Sequence, residues 1–170
     1  MGMRRVDPQY PVVGFTSARR FDAHAEAATA VRLTQISRGM RHGGVIRPKF
    51  ITGAARGGDA FIGRWLVTHW LEHADHLVLV PAWRSQVDWW WTSLPPRWQN
   101  LVEVELMPEG TDFAYRNKEL VRRSQHLEGF PELPEERAIM SGSWQTIRLA
   151  RHAEKSHHVT VVGEVPVRKG

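Results

Sequence analysis

Apolar and polar positions along the chain alternate between a strand rhythm and a helix rhythm. Val12-Val-Gly-Phe-Thr16 is a short apolar run closed by a small polar residue, which predicts a buried strand stopping at Ser17. Asp22 then suits a helix cap, and Ala23, Ala27, Ala30, Leu33, Ile36 and Met40 recur at spacings of three and four until Gly43-Gly44 breaks the pattern. Phe50-Ile51-Thr52 reads as a second strand. Asp59 opens a second helix with Ile62, Trp65, Leu66 and Trp70 on one side, and His76–Val80 is a third strand closed by Pro81.

The middle of the chain is less regular. Trp83 to Trp98 reads as a long loop with one helical turn, and Leu101 to Met107 as a weakly alternating strand. Thr111 or Asp112 suits the cap of a helix through Tyr115–Ser124. His126–Phe130 is a further strand, Ser141 begins a helix through Ala153, and Val159–Val162 is the last strand, with His157-His158 as a solvated loop before it. Strand–helix alternation of this kind predicts an α/β fold: a Rossmann-like three-layer sandwich with a mostly parallel sheet. Ligands of such folds sit beyond the carboxyl ends of strands, where loops lead into helix N-termini.

Composition narrows the class. A chain of 170 residues with 42% hydrophobic and 24% charged positions suits one globular domain, with its core over about 12–162. The absence of cysteine excludes a disulfide scaffold, thiolate metal sites and a cysteine nucleophile. No apolar run is long enough for a membrane span, and Met1 to Pro8 lacks the apolar stretch of a secretory signal, so a cytoplasmic protein with no membrane partner is expected. The net charge of +5 is uneven: residues 1–60 hold ten basic and four acidic side chains, and the remainder is nearly balanced. Nineteen of the 23 basic residues are arginine, which favours planar recognition of phosphate or carboxylate.

Four segments carry candidate chemistry. In Thr52-Gly53-Ala-Ala-Arg56-Gly57-Gly58-Asp59, three glycines sit in a strand-to-helix turn that offers free amides to a phosphate, with Arg56 as a bidentate partner. The same glycines also suit a plain tight turn with Asp59 as the helix cap. Ser141-Gly142-Ser143-Trp-Gln-Thr146 supplies a second polar turn at a helix start, which also reads as an ordinary N-cap. Thr16, Ser17 and Arg19 follow the first strand. Phe113-Ala-Tyr-Arg116-Asn117 places a guanidinium and an amide at the beginning of a helix.

In this order the four segments resemble the SLOG superfamily, the Rossmann-like group that includes the DNA-processing protein DprA and the LOG cytokinin-activating enzymes. Thr16-Ser-Ala-Arg19 resembles the family's first-strand turn, and Thr52–Asp59 is similar to its S/T-G-x-A-R-G-x-D signature. Phe113–Asn117 resembles its F-x-x-R-N segment, and Ser141–Thr146 stands where G-G-x-G-T precedes the last helix. The match looks nearest to the small YspA-like members. The resemblance implies a nucleotide-type small molecule as ligand across these turns. LOG catalysis uses a glutamate at the position that Thr146 fills, and threonine cannot replace a carboxylate that carries protons. Asp59, Glu109 and Asp112 are the nearest alternative carboxylates.

The expected function is therefore a nucleotide sensor or sequestering module without LOG-type catalysis. A phosphoribohydrolase-like or other nucleotide-processing enzyme is the alternative, and DprA-like single-stranded nucleic-acid binding the third reading. The cluster Trp83, Trp89, Trp90, Trp91 and Trp98 suits packing or a homodimer contact better than base stacking, for which Trp144 is better placed. His69, His73 and His76 fall on one helical side, but interaction with a helix C-terminus explains them better than a metal. No cofactor and no metal is expected.

Overall fold

A computed structural model describes residues 12–42, 48–69, 76–86, 94–137 and 141–163 of the chain. Among these residues six strands and five helices alternate: β1 (Val12–Ser17), α1 (Ala23–His42), β2 (Lys49–Thr52), α2 (Gly58–His69), β3 (His76–Leu79), the single turn α3 (Pro96–Gln99), β4 (Val102–Val104), α4 (Phe113–Arg123), β5 (His126–Phe130), α5 (Gly142–His152) and β6 (Ser156–Val159). The strands form one sheet in the order β4-β3-β2-β1-β5-β6, and every pairing is parallel.

The period-two alternation of the strands builds two cores. Val13 and Phe15 of β1, Phe50 of β2, Leu77 and Leu79 of β3 and Phe130 at the end of β5 are buried with Ala25 and Leu33 of α1 and Ile62 and Leu66 of α2. Ile51, Val78 and Leu127, offset by one residue on their strands, are buried with Leu120 and Val121 of α4 and Trp144, Ile147 and Ala150 of α5. The result is the expected three-layer sandwich. Each fully buried Leu, Ile or Phe contributes about 1.5–3 kcal/mol of transfer free energy, so the sheet is held from both faces.

Two strand boundaries differ from the sequence expectation. The last strand is Ser156–Val159 rather than Val159–Val162, so His157 and His158 lie in a strand, not a loop. The edge position explains this, because polar residues are tolerated where one side of the ladder faces outward. Thr160 and Val162 continue the backbone bonding to Gly129 and Pro131 beyond the strand. The stretch Leu101 to Met107 keeps only Val102–Val104 as strand, after which Glu105 and Met107 donate to Leu79 and Pro81. Gly43-Gly44, Trp70, His73 and Trp89 to Trp91 lie outside the described residues.

Candidate functional site

The sheet order changes direction at β1. The chain runs from β1 outward through β2, β3 and β4, then returns to place β5 on the other side of β1. The crevice beyond the carboxyl ends of β1 and β5 is the place where a doubly wound fold binds ligands. A cavity of about 550 Å³ occupies it, within the roughly 300–1,000 Å³ of small-molecule sites. One wall is the loop after β1 (Thr16, Ser17, Ala18, Arg19 and Arg20), which Ala18 ties to β5 by donating to the Phe130 carbonyl at 2.9 Å. Facing it are Glu132, Leu133 and Arg137 after β5 and Ser141, Gly142 and Ser143 at the start of α5. Ala55, Asp59, Phe113, Arg116 and Asn117 complete the lining.

The glycine-rich turn after β2 supports this wall, and two of its amides are taken up within the protein. The Gly58 N–H donates to the Ala18 carbonyl at 3.0 Å, and the Ala55 N–H donates to Asp59 Oδ2 at 3.1 Å. Ser17 Oγ donates to Asp59 Oδ1, so one buried carboxylate fastens the loop after β1 to the start of α2. Gly57 has φ +93°, and a Cβ there would overlap the Arg19 carbonyl. Gly53, Arg56, Gly57 and Gly58 are not among the residues that line the cavity, and Arg56 is exposed. Burial pushes the Asp59 carboxyl above its ordinary range, outweighing Arg116, Ser17, Ala55 and Arg19, which all favour the charged form.

Arg116 is the most constrained cation of the site. It is 7% exposed, donates through Nη1 to the Gly53 carbonyl at 2.6 Å and through Nε to Asn117 Oδ1 at 3.0 Å. Its Nη2 has no hydrogen-bond partner among the described residues. Burial lowers its pKa, Asp59 opposes that shift and Arg19 adds to it. Two guanidiniums lie over the Phe113 ring, with the Arg19 Cζ 4.7 Å and the Arg116 Cζ 5.1 Å from its centroid, and Trp83 packs against it in a T-shaped contact with ring centroids 4.8 Å apart.

At the other wall, Ser141 caps α5 by accepting from the Trp144 N–H at 3.3 Å, and its Oγ lies 2.8 Å from Ser143 Oγ. Ser141, Gly142 and Ser143 of this helix start line the cavity. Thr146 does not: it is fully buried and donates to the Gly142 carbonyl at 3.0 Å. Trp144 is not available for stacking either, because it is buried in the core with its indole N–H donating to Leu133 at 2.8 Å. Of the alternative carboxylates only Asp59 lines the cavity, while Asp112 caps α4 through the Tyr115 N–H. Arg20, Glu132 and Arg137 join the site without having been singled out by motif. Their signal is topological, since they follow the two strands that flank the change of direction. The lining carries four arginines against two carboxylates.

Among the described residues no cluster of histidine and carboxylate is arranged to hold a metal ion. His69 stacks on Trp65 with ring centroids 4.6 Å apart, and its Nδ1 lies 2.9 Å from the Trp65 carbonyl oxygen. No helix among the described residues is long and apolar enough to cross a membrane.

Fold and crevice together define a doubly wound α/β domain with a cationic site at its change of strand order. No protein-family model and no curated protein matches the sequence. Among solved structures, DNA processing protein A from Helicobacter pylori, described for its single-stranded DNA binding mode, is similar with a TM-score of 0.55 at 16% identity. The match covers 93% of this chain and 68% of that one. At this identity the likeness is one of fold.

Proposed function

We propose that the cavity binds a nucleotide or a nucleotide-derived small molecule through its phosphate oxygens, as a sensing or sequestering site without LOG-type catalysis. The observation that carries this reading is Arg116, 7% exposed overall, which shares one cavity with Arg19 and the start of α5. A guanidinium held at the wall of a partly enclosed cavity meets an anion in surroundings that strengthen a charge-assisted contact. Ser17, Asn117, Ser141 and Ser143 add polar groups suited to phosphate or ribose oxygens. Thr16 and Gly142 complete the contact set, and the glycine-rich turn acts by holding Ser17 and Arg116 in place. The segments Thr52–Asp59 and Phe113–Asn117 favour the YspA-like branch of the superfamily.

Isothermal titration with AMP, ADP and ADP-ribose tests the reading. We expect at least one to bind the wild type, and Arg19→Ala to weaken it about tenfold or more while leaving the thermal transition in place, since charge-assisted contacts contribute about 1.5–3 kcal/mol. No binding of any of the three overturns it.

A second reading has its own support. The fold is shared with a protein described for its single-stranded DNA binding mode, and four arginines line the site. Under this reading the cavity holds one nucleotide of a longer strand.

A further inference from the structure

At the end of the sheet opposite the cavity, β5 and β6 begin side by side, with His126 in register with Ser156 and Glu128 with His158. Side chains two apart on a strand share a face, and Arg32 of α1 reaches the same face. Ser156 Oγ lies 2.7 Å from His126 Nδ1, and His126 Nε2 lies 2.9 Å from Glu128 Oε1. The Glu128 side chain is only 1% exposed. It accepts from Arg32 twice, Nη2 to Oε1 at 2.7 Å and Nε to Oε2 at 3.2 Å, and His158 Nδ1 stands 3.4 Å from Oε2.

These contacts assign the hydrogens. Burial pushes the Glu128 carboxyl up, but the hydrogen bond from His126 and the guanidinium of Arg32 outweigh it and hold the group below the ordinary carboxylate range. An ionised carboxylate only accepts, so the hydrogen on His126 Nε2 points to Glu128, and the base form of the ring, with its single hydrogen there, presents a lone pair at Nδ1. In that form the Ser156 hydroxyl donates to Nδ1. Ser156 is exposed, whereas the carboxylate that orients its partner is buried. A hydroxyl, an imidazole and a buried carboxylate in series form the arrangement that activates a serine, which is recognised by roles rather than by position in the chain. Here the two ring nitrogens are exchanged relative to the common form, and either one serves as a base.

We propose that Ser156 is a nucleophile toward small activated carboxylic esters, with His126 as its general base and Glu128 as the positioning residue. Ser156 Oγ forms a bond to the ester carbonyl carbon and its proton passes to His126 Nδ1. The bond to the leaving alkoxide breaks as that oxygen takes the proton back, leaving an acyl-serine. A water molecule, deprotonated by the same nitrogen, then releases the carboxylic acid and restores the hydroxyl. The site stands on an exposed strand edge, which suits small esters.

Labelling of the full chain with a fluorophosphonate probe tests this, read by intact mass and peptide mapping. The probe forms an Oγ–phosphorus bond and releases fluoride, with the proton going to His126. We expect one adduct per chain, mapped to Ser156 and absent from Ser156→Ala, whose exposed side chain leaves the fold unaffected. His126→Gln should slow labelling about 100-fold or more, the scale of general-base assistance. Glu128→Gln should move the pH midpoint of labelling downward, a shift that a merely structural carboxylate would not produce. A wild type unlabelled at Ser156, or labelling as fast in His126→Gln as in the wild type, overturns the proposal.

Discussion

Arg116 Nη1 donates to the Gly53 carbonyl at 2.6 Å, and a Cβ on residue 53 would overlap the same guanidinium. The first glycine of the signature turn therefore makes room for a cation that arrives from α4, 63 positions later in the chain. Gly53→Ala would push the flexible end of Arg116 aside and break that hydrogen bond. The expected cost is modest, about 1 kcal/mol in chemical denaturation, because the side chain can swing into the cavity. Binding of inorganic pyrophosphate or ADP, followed by calorimetry, should fall about tenfold or more. Unchanged affinity would mean that Arg116 does not meet the ligand.

Gly57→Ala meets a harder obstacle. Its φ of +93° disfavours any L side chain, and a Cβ would run into the backbone carbonyl of Arg19, which cannot swing away. We expect a loss of about 1–3 kcal/mol in urea denaturation, larger than for Gly53→Ala. Equal midpoints for Gly57→Ala and wild type would contradict the positive φ.

Arg19 and Arg56 separate the cavity from the turn that builds it. Arg19 lines the cavity and lies over Phe113, whereas Arg56 is exposed and outside the lining. Arg19→Ala should weaken ADP or ADP-ribose about tenfold or more, and Arg56→Ala should bind within about twofold of wild type, each read by calorimetry. The reverse order would move the anion site onto the glycine turn.

Two buried carboxyls shift in opposite directions, which gives the stability–pH profile two distinct limbs. The folded state raises the pKa of Asp59 through burial, so the native chain binds its proton more tightly than the unfolded chain does. Stability from this group is fully present below the ordinary carboxylate pKa and is lost as pH rises through the folded value. Glu128 is held low, so its contribution is present above the ordinary value and is lost as pH falls through the folded one. Asp59→Asn should flatten the loss on the rising side, and Glu128→Gln should flatten the acid loss while lowering stability near neutrality. Denaturation midpoints measured between about pH 3 and pH 8 distinguish them. A Glu128→Gln profile parallel to wild type in acid would remove the Arg32–Glu128–His126 network from the account.

The apolar rhythm carried most of the fold, because strands buried on both faces, such as Val78 between Leu77 and Leu79, cannot be disguised. It failed at β6, whose Ser156-His-His-Val sequence offers only Val159 to the core and owes its place to pairing with β5 and to Glu128 beside it. Part of the cavity was legible too: Ser17, Arg19, Arg116 and Ser141 follow strands or open helices, where the motifs placed them. The glycines of the turn lie outside the lining: a motif shows that amides are available but not what takes them, and Asp59 and Ala18 take two of them here. Trp144 misled for a related reason. Its place in the first turn of α5 suits stacking, but the helix face it occupies turns into the core.

Salt dependence decides between a single-ligand pocket and a groove for single-stranded DNA. A protein that neutralises several phosphates of a strand releases counterions from each, so log K falls with log salt at a slope of about −0.7 per phosphate. Four arginines line this cavity, but Arg116 is largely buried and fastened to Gly53 and Asn117, an arrangement suited to one phosphate group. A mononucleotide or ADP-ribose held there should lose affinity only a few-fold between about 50 and 200 mM salt, since few counterions are displaced. An oligothymidylate that engages all four arginines should show a slope near −3, a loss of about fiftyfold over the same range. Fluorescence anisotropy of a labelled oligothymidylate, with ADP-ribose as competitor, reads both quantities in one titration. The pocket reading expects weak, steeply salt-dependent strand binding that ADP-ribose displaces, with ADP-ribose affinity nearly flat in salt. A strand that stays bound at 200 mM salt and is not displaced by ADP-ribose would make the arginine cluster a nucleic-acid interface instead.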